Sequence, residues 1–298
     1  MTGFQIQLPS PLQEINDVSG CKLSIKRDDL LHPIISGNKW RKAEGYITIW
    51  KQGRHKRIHT KGSVHSNYVH AIAFICTKLN IPLHLDLYGY LKDSNPLLDD
   101  LRKWRISHSI IQRRTQSEEL ADHQVLYIPE GADGPPAELG MVNMLRELPP
   151  DFDACGNVMA IACGTGRTLR SVIQNTQHIR ILACSPVRQL NRFEHPRLCW
   201  IDPHFSLPFA GYHKELITAV DQFYFNYKIL LDPIYTGRLW CSIMHNPSLW
   251  MDCDRFIFLH SGGLQGWRSY LHRYPALESE FSNIADIILQ HAALLAVE

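Results

Sequence analysis

Long apolar runs are missing from this chain: none reaches the roughly 18 residues a membrane-spanning helix needs. Paired cysteines are missing too. The eight cysteines are scattered and form no CxxC pair. The sixteen histidines include no HExxH and no cluster at zinc-ligand spacing, so a metal site has no support in the sequence. No long basic run accompanies the net charge of +2, so a nucleic-acid partner has none either. The stretch RHKR, Arg54 to Arg57, reads as a solvated turn. The opening MTGFQIQLPSPLQEI lacks a basic-then-apolar leader. Together with the cysteine usage this gives the expectation of a cytoplasmic protein without structural disulfides. Cys76, Cys163 and Cys184 lie in apolar segments and read as buried thiols. Cys253, in MDCDRF, reads as an exposed one. Internal repeats and low-complexity linkers are also absent.

What is present is an ordinary globular composition, 45% hydrophobic and 20% charged over 298 residues. That length suffices for one large or two smaller α/β domains with a sizeable core. Short strand-like apolar runs alternate with amphipathic helical ones, as in an α/β fold with parallel sheets. Strands are expected at 57–60, 82–88, 125–131, 157–164, 180–186 and 255–263. Helices are expected at 66–79, 95–104 and 212–229, with another after 263. The pattern falls into two groups of β–α units, one near 50–130 and one near 155–270.

The stretch ISGNKWRKAEGY, Ile35 to Tyr46, reads as a helix capped by Ser36 and running to about Lys51, with Gly53 as a stop. It breaks an electrostatic rule. Lys39, Arg41 and Lys42 fall in or near the first turn, where the helix dipole disfavours cations. Lys39 and Lys42 are three apart and share a face. They form either an exposed basic helix start or one side of a phosphate site. A phosphate beside a lysine suggests pyridoxal phosphate, whose aldehyde needs an amine that is neutral part of the time.

Three glycine turns follow strand ends, where α/β sheets bind ligands. In ACGTGRTLRSVI, residues 162–173, free amides and a helix N-terminus make either an anion cradle or a plain tight turn. It matches neither dinucleotide nor nucleotide-triphosphate fingerprints. In TKGSVHSNYVHAIAF, residues 60–74, Ser66 or Asn67 opens a helix, as a site residue or a simple cap. In LHSGGLQG, residues 259–266, Ser261 either meets a ring nitrogen or bonds its own turn.

Taken together, IKRDDLLHPIISGNKWRK, HSNYVHA, CGTGRTL, LDPIYTGRL and HSGGLQG resemble the D-cysteine desulfhydrase and 1-aminocyclopropane-1-carboxylate deaminase family. The likeness runs in order from about residue 20 to 270. The SGNKxRK and DPxYTG stretches carry it; the glycine turns are less specific. These are fold-type II pyridoxal-phosphate enzymes, similar to the tryptophan synthase β chain. The resemblance implies two three-layer open-sheet α/β domains with the cofactor in the cleft between them. Residues 1–45 and 131–298 would form the large cofactor-binding domain, and 46–130 the small one. It implies a Schiff base at Lys39, which then takes the Cα proton. It implies that Lys42 and the turn Gly164, Thr165, Gly166, Arg167 and Thr168 hold the phosphate. Asn67 would meet the phenolic oxygen, Ser66 the substrate carboxylate, and Ser261 the pyridine nitrogen. Tyr235 would lie over the substrate as a proton donor. A homodimer acting on a small amino acid is implied as well.

A serine at the pyridine nitrogen is too weak an acid to keep the ring protonated, which favours expelling a β-leaving group. Ring-opening members characteristically carry glutamate where this chain has Thr236. Both features point to D-cysteine, or a related β-substituted D-amino acid, giving pyruvate, ammonia and sulfide. The alternatives are a cyclopropane deaminase and a pyridoxal-phosphate-binding protein with little turnover. The chain departs from the family pattern at Lys61, Ser63, His65, Tyr68 and Arg167. Most of these lie around the substrate region.

Overall fold

The computed structural model describes residues 4–18, 21–35, 37–89, 95–112, 122–187, 190–277, and 281, 284, 286 and 288. In chain order the first half runs β1 (Leu12–Val18), β2 (Cys21–Lys26), α1 (Asn38–Lys51), β3 (Arg57–Ser63), α2 (Asn67–Lys78), β4 (Leu83–Tyr88), α3 (Pro96–Lys103), β5 (Ser107–Ile110) and β6 (Val125–Ile128). The second half runs α4 (Glu138–Arg146), β7 (Asn157–Ala162), α5 (Arg167–Gln174), β8 (Arg180–Cys184), β9 (Leu198–Ile201), α6 (Lys214–Tyr227), α7 (Thr236–Met244), β10 (Arg255–Leu259) and α8 (Gly266–Arg273).

The strands form a six-stranded sheet, β1-β2-β10-β7-β8-β9, and a four-stranded sheet, β5-β4-β3-β6. The smaller sheet is wholly parallel. The larger is parallel except for β1, which pairs antiparallel with β2. A parallel strand covered on both sides must be apolar on both faces. β7 shows this: Val158, Ala160 and Ala162 enter one core cluster, Met159 and Ile161 another. β10 divides likewise, Phe256 and Phe258 from Ile257 and Leu259. Under the smaller sheet, Ile58, Leu85 and Leu126 share a third cluster with Ala43, Tyr46 and Ile47 of α1.

The expected elements recur with shifts of a few residues at their ends. The sequence pattern marks neither the strands β1, β2, β5 and β9 nor the helices α4 and α7. β5 reads SHSI and is nowhere buried, so no apolar period marks it. Cys76, Cys163 and Cys184 are buried as expected, whereas Cys253 is buried rather than exposed, because it packs against Cys21 beneath the larger sheet. None of the eight cysteines forms a disulfide.

The placement of α1 decides the site. Its N-cap position is Gly37; Ser36, the expected cap, lies outside the described residues. Gly37 has φ +68°, and a Cβ there would lie 1.8 Å from the Ser261 carbonyl oxygen. Only glycine satisfies both demands. Gly37 N donates to Asp28 O at 2.7 Å and Asn38 N to Ser261 O at 3.2 Å. Farther along, a methyl at Gly45 would meet Pro136 O at 1.8 Å, and one at Gly140 of α4 would meet Arg41 O at 1.9 Å. The two helices therefore touch backbone to backbone.

Arg41, one of the three unexplained cations, is fully buried and points away from its neighbouring lysines. Its guanidinium donates to both oxygens of Glu147 at 2.7 Å, to Asp28 at 2.8 and 3.2 Å, and to Ser10 Oγ at 3.2 Å. Lys26 Nζ completes the cluster on Glu147 at 2.6 Å and Ser10 O at 2.7 Å. The pairing holds the Glu147 carboxyl below its usual range even though burial acts the other way. Removing one partner from such a buried network strands the others. Arg41→Leu is expected to lower stability by about 3–5 kcal/mol, read from urea unfolding; a loss under about 1 kcal/mol, as for an exposed pair, contradicts the role assigned to the cluster.

Candidate active site

The carboxyl ends of strands from both sheets face the first turn of α1 across a cavity of about 680 Å³. Lys39 and Lys42 enter it from α1, and Ser66 and Asn67 from the start of α2. The turn Gly164 to Thr168, Tyr235 and Ser261 close it from the larger sheet. Every residue singled out in the sequence for catalysis or cofactor binding thus lines one cavity.

Lys39 Nζ lies 3.5 Å from Ser261 O. Burial lowers its pKa from the ordinary 10.5 to about 8, against the opposing charge of Asp232. Lys42 Nζ donates to Thr165 Oγ1 and to Gly131 O, both at 3.2 Å. Its pKa also falls to about 8, chiefly through burial; Asp133 opposes this, and Lys39 and Arg167 add to it. One helix face therefore presents two amines, one to the Ser261 loop and one to the Thr165 turn, each easily deprotonated.

β7 ends and the chain turns through Gly166, whose φ is +83°. α5 then begins at Arg167 with no side-chain cap, so its first amides stay open. Thr168 adds a buried Oγ1 with no hydrogen-bond partner among the described residues. Open amides, an orphaned hydroxyl and Lys42 together make an anion cradle. Arg167 lines the cavity, but its Nε donates to Asp133 Oδ1 at 3.0 Å, so its charge is held by a carboxylate.

Ser66 caps α2, its Oγ accepting from Val69 N at 3.3 Å. Asn67 Nδ2 donates to Gly263 O at 3.4 Å, tying the α2 start to the glycine loop after β10. His260 shapes that loop from behind. Its Nδ1 accepts from Gly262 N at 3.2 Å and its Nε2 donates to Leu230 O at 2.7 Å, which fixes the neutral tautomer. The Tyr235 ring packs over Gly164, its Cε1 3.5 Å from where a Cβ would stand. Burial raises the Tyr235 pKa, so the hydroxyl keeps its proton.

Two features escaped the sequence reading. Asp232 is 1% exposed and organises the turn before α7. Its carboxylate accepts from Ile234 N at 3.0 Å, Tyr235 N at 2.8 Å, Thr236 N at 2.9 Å and Thr236 Oγ1 at 2.6 Å. The signal was available: an aspartate shortly before a helix start is an Asx-turn or cap residue. Tyr88 and Glu130, at the ends of β4 and β6, hydrogen-bond to one another and line the cavity. Their pairing depends on two strands separated by β3, which no local pattern reports.

No known family profile matches the chain. Among solved structures it is similar to an ACC deaminase homologue at 22% identity and TM-score 0.71, covering 91% of this chain and 95% of that one. It is similar to an L-serine ammonia-lyase from Rhizomucor miehei at 14% identity and TM-score 0.64, covering 91% and 100%. It is also similar to a pyridoxal 5'-phosphate-dependent aspartate racemase at 10% identity and TM-score 0.59, covering 85% and 90%. The chain shares the α/β fold of these proteins over nearly its whole length.

The depressed lysine pKa has a thermodynamic signature. Between pH 8 and 10.5 the unfolded chain binds the proton that folded Lys39 has lost, so this group makes stability rise with pH. Relative to Lys39→Met, the ligand-free protein is expected to gain stability across that interval, read from urea midpoints at each pH. A difference that stays flat contradicts the shifted pKa.

Proposed function

We propose that this chain is a pyridoxal 5'-phosphate-dependent lyase of small amino acids, with a D-cysteine desulfhydrase-like β-elimination as its reaction. The observation that carries the proposal is the pair of low-pKa amines on one face of α1, with an anion cradle at the second amine. A phosphate fits that cradle: the α5 amides, the orphaned Thr168 hydroxyl and Lys42 supply donors and positive charge. Lys39 would hold the aldehyde, Asn67 and Ser261 the ring, and Ser66 with the α2 amides the substrate carboxylate.

Bound there, the cofactor supplies an electron sink for charge developing on the substrate Cα. The remaining work belongs to the chain. Desolvation leaves about half of the Lys39 amine without its proton near pH 8, so it can take one from Cα. The protonated Tyr235 hydroxyl can give one to the departing β-group. Asp232 holds the backbone of Tyr235 and sets where that ring stands. Cysteine and water then yield pyruvate, ammonia and hydrogen sulfide, with no change in overall oxidation state.

A second reading, a cyclopropane-opening deaminase, is favoured by the likeness to the ACC deaminase homologue. Thr236 weighs against it, being fully buried with its hydroxyl bound to Asp232. The family resemblance further supports a cytoplasmic homodimer. It also supports a working division into residues 1–45 with 131–298 and residues 46–130, with α1 crossing the boundary.

Adding pyridoxal phosphate to the pure protein is expected to produce a visible absorption band that Lys39→Ala abolishes. Absence of the band in the unaltered chain overturns the cofactor assignment. The coloured protein is then offered D-cysteine, β-substituted D-serine derivatives and the cyclopropane amino acid. Pyruvate from the first two supports elimination. Faster release of a keto acid from the third favours the deaminase, and no product from any favours a binding protein with little turnover. Tyr235→Phe is expected to lower kcat about 10²–10⁴-fold, the range for a positioned proton donor, while the absorption band persists. An unchanged kcat removes Tyr235 from the chemistry.

A further inference from the structure

We propose that His59, His84 and Asp86 form a binding site for one divalent transition-metal ion of the zinc, nickel or copper class, outside the cavity described above. The placement follows from strand register. β3 and β4 are parallel neighbours, and His59 pairs directly with His84. Asp86 stands two residues beyond His84 and therefore shares its face of the sheet. The apolar face of the same sheet is covered by α1, α2 and α3, whose side chains join Ile58, Leu83 and Leu85 in one cluster. The opposite face is polar, and the three candidate ligands meet there.

Their distances suit a metal. His59 Nε2 lies 2.9 Å from Asp86 Oδ2, and His84 Nε2 lies 3.5 Å from Asp86 Oδ1. One ligand atom from each residue falls within 4.8 Å of the other two. Zinc holds imidazole nitrogens and carboxylate oxygens at about 2.0–2.2 Å. Ligand atoms already this close need only small rotations to converge. Two imidazoles and one carboxylate favour zinc, nickel or copper over magnesium or calcium, which take mostly oxygen.

The surroundings orient the ligands. Ser107 Oγ lies 2.9 Å from His84 Nδ1 and Ser109 Oγ lies 3.2 Å from Nε2, both from the adjacent strand β5. In the tautomer with Nδ1–H donating to Ser107, the Nε2 lone pair, which Ser109 Oγ–H otherwise fills, is the one a metal takes. His59 Nε2–H donates to Asp86 in the ligand-free state. Moving that proton to Nδ1 frees its lone pair without changing the charge of the ring. The His59 side chain is 8% exposed and the Asp86 side chain 15%, so two ligands are held firmly. His84, at 31%, opens the site to solvent and leaves room for a water as fourth ligand. Lys61, opposite Asp86 in register, is a nearby cation that an ion must outweigh. A bound ion would tie β3 to β4 just before the Ser63 turn, where the cavity begins.

The test uses the full chain, stripped with a chelator and titrated with nickel or zinc chloride by calorimetry. One ion per chain and a raised melting temperature are expected. Asp86→Asn and His84→Gln, both at partly exposed positions, are expected to lower affinity by on the order of 10-fold or more and to abolish the thermal shift. His55→Ala and His108→Ala, away from the cluster, are expected to bind like the unaltered chain. Circular dichroism confirms that each variant is folded. Absence of saturable binding overturns the proposal. So does unaltered affinity in both ligand variants, because the ion then sits on other histidines.

Discussion

A buried guanidinium decides where the amines of this protein can be. Arg41 is pinned between Asp28 and Glu147, with Lys26 and Ser10 completing its shell. Charges taken out of water must find partners in fixed geometry. These partners come from the turn after β2 and from the residue that follows α4. The cluster therefore sets both the rotation and the depth of α1. With Arg41 turned into the cluster, Lys39 and Lys42 face the cavity, as a helix with 3.6 residues per turn requires. The three cations of the first turn thus have separate duties, one in packing and two in the site.

Close backbone contact reinforces that placement. Gly37 lets the helix start lie against the Ser261 carbonyl, while Gly45 and Gly140 let α1 lie against the α4 region. The site is then assembled from segments far apart in sequence. Each contributes a strand end or a helix start, where backbone groups are unpaired and free to serve a ligand. Desolvation lowers the pKa of both amines, and Asp232 opposes the shift at Lys39.

Much of this was legible beforehand. Strands β7, β8 and β10 announce themselves as apolar runs that end at glycines or at a turn, and α2 and α6 by helical spacing after polar residues. Ser66, Asn67, Ser261 and the 164–168 turn follow strand ends at glycine turns, Lys39 and Lys42 share a helix face, and Tyr235 came only with the family resemblance; all of them line the cavity. Illegible features depend on pairing across the chain. β5 has no apolar period, and β1 is a polar edge strand. Asp232 reads as a turn residue until its neighbourhood with Lys39 is known. The destination of Arg41 requires Glu147, over a hundred residues later. Cys253 looked exposed because its charged neighbours, Asp252 and Asp254, masked its own inward direction. The His59, His84 and Asp86 cluster has no one-dimensional signature, since strand register alone brings its members together.

The turn before α7 carries a consequence for how this chain could change. Thr236 has no exposed surface, and its hydroxyl sits 2.6 Å from a carboxylate that also gathers three backbone amides. A glutamate in its place removes that hydroxyl and sets two acidic groups side by side in a dry interior. A single replacement at Thr236 is therefore closed to this corner. Such a change requires rebuilding the corner as a unit, with new company for Asp232 arriving at the same time.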